Sequence, residues 1–119
     1  MTLSQDGAID LHQGPPVHGV RPSVDVTLKS VVGALGGQAV AVIMTGMGAD
    51  GSEGAALLHR QGGKVIAEHE STCVVYGMPR SVVEAGSADS VVPLPRIACE
   101  LVKVLQSAPS VACRRIANG

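Results

Sequence analysis

Apolar and polar positions along this chain change period several times, and each change marks an element. Ala39 to Met44 is an unbroken apolar run of strand length, the pattern of a parallel strand buried on both faces. It breaks into Gly46, Gly48 and Gly51, and Ser52 to Gln61 then reads as a helix stopped by Gly62-Gly63. Lys64 to Ala67 predicts a second short strand, and Glu68 to Met78 has no period. Pro79 opens a helix, where a missing N–H does no harm, and Gly86 closes it. Asp89 to Pro93 predicts the last strand. Pro95 opens a final helix with Ile97, Leu101, Val104 and Leu105 on one face. Upstream, Ser23 can cap a helix in which Val24, Leu28, Val31, Val32 and Leu35 share a face, ended by Gly36-Gly37. Asp6 to Leu11 reads as half of a hairpin whose partner would lie before Met1, and Gly14-Pro15-Pro16 breaks it. Strands alternating with helices predict an α/β layered domain.

Composition narrows this picture. At 119 residues the chain forms at most one modest domain. It is 45% hydrophobic with Tyr76 as its one aromatic, so the core must be Val, Ala, Leu and Ile. A net charge of −1, with Arg114-Arg115 the only basic pair, argues against nucleic acid as a partner. Cys73, Cys99 and Cys113 have no metal-ligand spacing and read as free thiols in a reducing compartment. No segment has the length of a membrane span, and the first residues lack a signal peptide's pattern, so a soluble, cytoplasmic protein is expected.

The chemistry should gather at Thr45-Gly-Met-Gly-Ala-Asp-Gly51, since open α/β sheets bind at the carboxyl ends of their strands. Three readings compete there. Gly46-x-Gly48-x-x-Gly51 has the spacing of a dinucleotide fingerprint, and Glu68 lies about 20 residues on, where a ribose-binding acid would sit. Asp50 and Glu53, however, occupy the field in which a pyrophosphate would need positive charge. A second reading makes the glycines a tight turn and Asp50 a helix cap. In the third, Asp50 is a catalytic carboxylate. Ser52, in Gly51-Ser52-Glu53-Gly54, resembles a nucleophile elbow, but Asp50 stands where that motif needs its first glycine. His12, His18, His59 and His69 read as surface histidines, with His69 able to reach the site's edge. Tyr76 reads as a packing residue, and Arg80 as either a substrate contact or a cap on surface carbonyls.

Thr45 to Gly51, Val74-Val-Tyr-Gly-Met-Pro-Arg80 and Arg21-Pro-Ser-Val-Asp25 together resemble the catalytic domain of the chemotaxis protein-glutamate methylesterases, the CheB type. The likeness runs in order from about Pro15 to Leu105 and extends to Val83-Glu-Ala-Gly86 and Val91-Val-Pro-Leu94. The resemblance implies the back portion of a doubly wound, mostly parallel sheet with flanking helices. It implies a serine hydrolase that removes methyl groups from glutamyl esters on the cytoplasmic helices of methyl-accepting chemoreceptors, in many members also deamidating glutamines. Of its Ser-His-Asp triad the aspartate falls on Asp50, with Thr45, Gly46, Met47, Gly48 and Gly51 forming the substrate-site loop. The family's serine turn and histidine belong upstream of this sequence, as does its receiver domain, so the chain alone is expected to be inactive and to leave a sheet edge open to dimerisation or aggregation. No cofactor or metal is implied. The expected organisation is an irregular segment over 1–14, a partial catalytic domain over 15–106 and a flexible tail over 107–119. The competing functional reading is a non-catalytic remnant or interaction module; a nucleotide-binding domain comes third.

Overall fold

The structure, a computed structural model, describes residues 1–11 and 23–106. The readings placed on His12, His18, Arg21, Cys113, Arg114-Arg115, the Pro15-Pro16 break and the 107–119 tail lie outside the described residues. A short hairpin, β1 (Thr2–Leu3) and β2 (Ile9–Asp10), precedes α1 (Val24–Leu35). Then come β3 (Val40–Ile43), α2 (Ser52–Arg60), β4 (Lys64–Glu68), a 3₁₀ turn (Glu70–Thr72), α3 (Met78–Glu84), β5 (Ser90–Val92) and α4 (Leu94–Gln106). The three later strands form a parallel sheet in the order β3-β4-β5. The α/β layered architecture is therefore as the periodicity predicts.

Central β4 is buried from Val65 to Glu68, because both of its edges are paired and helices pack on it. Val65 joins Ala41, Ile43, Ala55, Leu58 and Val82 in the main core, against which Val24, Leu28 and Val32 of α1 pack. Ile66, which alternates to the opposite face, is also fully buried, and α4 packs against β4. The core is aliphatic, as a chain with one aromatic requires.

Three expectations need correction. β3 is not buried on both faces: Ala41 and Ile43 are buried while Val40 and Val42 are half-buried. It is an edge strand, so one side lacks a neighbouring strand's cover among the described residues. The hairpin partner of Ile9–Asp10 is Thr2–Leu3 within the chain, not a segment before Met1. The turn uses Asp6-Gly7, with Gly7 at φ 88°, a left-handed conformation that glycine adopts cheaply. Finally, Leu35, assigned to the apolar face of α1, is 45% exposed, since the helix ends there beyond the core.

Candidate active site

The loop following β3 is built around a carboxylate. Asp50 is buried, with 9% of its surface exposed. Its Oδ2 accepts a hydrogen bond from the Val24 N–H at 2.7 Å, and its Oδ1 accepts from the Asp25 N–H at 3.0 Å and the Ser23 hydroxyl at 2.7 Å. Asp50 thus sits on the N-terminus of α1, where orphan N–H groups and the helix dipole favour negative charge. The capping alternative correctly anticipated the type of contact but not the helix. The N-cap of α2 is Gly51, at φ 99°, and the Asp50 carboxylate reaches across to the helix that begins 26 residues earlier.

The favour is returned. Asp25, 1% exposed, accepts the Gly54 N–H at 2.8 Å on its Oδ1, and Gly54 lies in the first turn of α2. Each helix start is therefore satisfied by a carboxylate carried beside the other. The helices approach closely enough for this because Gly54 has no side chain: a Cβ there would come within 2.5 Å of the Leu28 Cβ. Lys29 and Glu53 add an exposed ion pair at 2.9 Å.

A second buried carboxylate, Glu68, organises the other side of the site. It is 1% exposed. Its Oε1 accepts the Thr45 N–H at 2.8 Å, and its Oε2 accepts the Thr72 hydroxyl at 2.9 Å. The Thr72 oxygen in turn accepts the Leu94 N–H at 2.9 Å, joining the start of α4 to the same group. Glu68, considered from sequence as a ribose ligand, is instead a tie between three segments. With Asp25 on the first turn of α2, the anion position of a dinucleotide fingerprint already holds a carboxylate. The nucleotide reading therefore loses both of its anchors.

The loop from Thr45 to Gly48 is clasped to the segment before α3. Thr45 Oγ1 accepts the Val75 N–H at 2.9 Å, the Gly46 N–H donates to the Val75 carbonyl at 3.1 Å, and Gly77 and Met78 both donate N–H groups to the Gly46 carbonyl. This close approach needs Gly77, whose Cβ would lie 2.7 Å from the Gly46 oxygen. The clasp leaves Met47 82% and Val74 89% exposed, so each of the two clasped segments presents an apolar side chain to solvent.

Other candidates fall outside this centre. Ser52 lies in the first turn of α2, not on a strained elbow. His59 is in the last turn of α2, with Nδ1 3.4 Å from Asp89 Oδ2. His69 caps the 3₁₀ turn, its Nδ1 accepting the Ser71 N–H. Arg80 pairs with Glu84 at 2.8 Å. Burial, then the Glu68 charge, pushes the Cys73 thiol above its ordinary value, which makes it a poor nucleophile. Among the described residues, no group of three or more metal-ligating side chains gathers. No described helix is long and apolar enough to cross a membrane. Sequence reasoning missed the parts played by Ser23, Asp25, Thr72 and Glu68. The one available signal was Ser23-Val-Asp25, prominent as a motif; its serine was expected to cap α1, but its side chain makes no such bond.

Fold and site define an α/β domain whose buried polar groups are concentrated at the carboxyl ends of parallel strands. Comparison with known proteins makes this specific. Residues 1–101 match the family model described as CheB methylesterase, and the chain belongs to that family. It is 53% identical over 105 residues to a protein-glutamate methylesterase/protein-glutamine glutaminase of Symbiobacterium thermophilum, covering 88% of this chain and 29% of that protein. It is 47% identical over 110 residues to the protein of the same name from Bdellovibrio bacteriovorus, covering 90% of this chain and 31% of the relative. The chain thus spans under a third of the length of these relatives. Among solved structures, the Thermotoga maritima CheB methylesterase catalytic domain aligns with a TM-score of 0.75 and 44% identity, covering 77% of this chain and 49% of that one.

Proposed function

We propose that this segment supplies the acidic member of a Ser-His-Asp triad in a protein-glutamate methylesterase, and that Asp50 is that acid. The observation that carries the reading is the seating of Asp50: a buried carboxylate at the carboxyl end of a parallel strand, held by the Ser23 hydroxyl and two backbone N–H groups. Such donors favour the ionised form and fix its direction. A triad acid needs both, because it must orient a histidine and stabilise the imidazolium without taking its proton.

The chemistry that follows is acyl transfer. A serine oxygen, its proton passing to the histidine, attacks the glutamyl ester carbonyl. Collapse of the tetrahedral intermediate expels methoxide, which leaves as methanol with the histidine's proton. Water then hydrolyses the acyl-enzyme to free glutamate. Thr45, Gly46, Met47, Gly48 and Gly51 would form the rim against which the substrate segment lies, with Met47 as its exposed apolar contact. In this reading the substrates are methylated cytoplasmic helices of chemoreceptors, with glutamine deamidation as a second activity, and the work is done in the cytoplasm. The serine and histidine would come from the rest of the enzyme. The 119-residue chain by itself should release no methanol, and its β3 edge should favour self-association.

Asp50→Asn in a complete, active methylesterase carrying this segment tests the assignment. The amide cannot accept at every position the carboxylate does, so some stability is lost; turnover must be compared at equal folded fraction. The expected loss is up to about four orders of magnitude. The second reading, Asp50 as a purely structural cap of α1, draws on the same hydrogen bonds. It predicts lower stability with turnover intact.

A further inference from the structure

We infer that Ser23 is a positioning residue for Asp50. The inference rests on the reading of Asp50 as the triad acid. Ser23 stands at the N-cap of α1 with extended backbone angles, φ −107° and ψ 138°. A serine there ordinarily offers its side-chain oxygen to an N–H of the first turn. Ser23 makes no such bond. The N–H groups of Val24 and Asp25 go to Asp50 instead, and the Ser23 hydroxyl donates to Asp50 Oδ1 at 2.7 Å. The capping task has passed to Asp50, and the serine side chain serves the carboxylate rather than the helix.

The geometry makes this a directional hold. The two N–H groups come from consecutive residues of one rigid helix and engage different oxygens of the carboxylate. The hydroxyl adds a third point of attachment from the residue just before them. Three donors at separate positions restrict rotation about the Asp50 side-chain bonds more than two parallel ones. Ser23 is 3% exposed, so water cannot readily substitute for the lost donor. Asp25, by holding the Gly54 N–H, keeps the Asp50 loop seated from the other side. A triad acid displaced by even a fraction of its reach misdirects the imidazole, and such misplacement is felt in the chemical step.

The test uses a complete, active methylesterase carrying this segment, with methanol release from methylated receptor as the readout and thermal unfolding followed in parallel. Ser23→Ala should lower kcat roughly ten- to hundredfold while leaving KM unchanged. Ser23→Thr, which keeps the donor, should restore most of the loss. In an Asp50→Asn background, Ser23→Ala should cost no further turnover, because its effect passes through the carboxylate. Full kcat in Ser23→Ala, or an undiminished loss in the Asp50→Asn background, overturns the inference and leaves the triad assignment standing. Unchanged turnover in Asp50→Asn alone overturns both.

Discussion

The two ends of the parallel sheet solve the same closing problem with different materials. At the amino ends of the strands, glycines let backbones meet. Gly37 faces the Gln61 carbonyl, where a Cβ would collide with backbone atoms, and the Gly63 N–H reaches the Leu58 carbonyl at 3.0 Å. The carboxylate present there, Asp89, accepts the Val65 N–H at 2.8 Å and keeps 23% of its side chain exposed. At the carboxyl ends the ties are Asp25, Asp50 and Glu68, all buried. Burying carboxylates is unfavourable unless each is well hydrogen-bonded, and the amino end shows that this fold closes its turns without doing so. Packing alone therefore does not call for three buried acids beside one loop. The proposed triad role of Asp50, which requires a carboxylate held ionised and aimed, would account for them.

Breaking the carboxyl end should have the largest effect. Glu68→Ala removes the acceptor of both the Thr45 N–H and the Thr72 hydroxyl, orphaning the amide and leaving the hydroxyl only the longer contact to the His69 carbonyl at 3.4 Å. The expected cost is roughly 2–4 kcal/mol by denaturant unfolding, about 1–3 kcal/mol for the orphaned amide and about 1 kcal/mol for the lost hydroxyl bond. In a complete enzyme it should also lower turnover, because Thr45 opens the proposed substrate-site loop. Glu68→Gln retains a carbonyl acceptor and should lose less of both. An undamaged loop after Glu68→Ala would make the two ends equivalent.

Gly37→Ala sharpens the comparison from the other end. Its Cβ meets the Gln61 carbonyl, which cannot swing away as a side chain could. A loss of about 1–3 kcal/mol, typical of overpacking, should appear in unfolding curves while turnover per folded molecule stays constant. A fall in kcat would show that the amino end is coupled to the site. The smallest effect belongs to Lys29→Ala. The Lys29–Glu53 pair spans the same two helices as Asp25 but is half-exposed, with side chains 49% and 64% accessible. Solvent and salt screen such pairs, so its melting temperature should match the parent's within error.

The sequence was most readable where punctuation was strong. Gly62-Gly63, Pro79, Gly86 and Pro95 mark element ends to within a residue or two of where they fall. The β1 strand was not legible, because two residues cannot display a period; Asp6-Gly7 was the only sign of its turn. The loop of the candidate site stood out through its glycines, and the resemblance singled out Asp50. Its supporting groups were hidden for a different reason. Ser23 and Asp25 lie 27 and 25 residues from Asp50, and nothing local in α1 distinguishes a serine that caps its own helix from one that serves another loop. Glu68 reads as the first residue of an aperiodic segment, or as an acid at fingerprint spacing, until the chain folds Thr45 and Thr72 against it.

The exchange of carboxylates between α1 and α2 also bears on how the domain opens. Asp50 protects the amides of Val24 and Asp25, and Asp25 protects that of Gly54. Neither helix start can release its amide protons to solvent without exposing a charge that the other start holds. In hydrogen exchange, amides 24, 25 and 54 should therefore share one opening free energy and move together under added denaturant, as members of a single cooperative unit. Helix starts, which ordinarily fray first, would here be among the last parts of these helices to come apart.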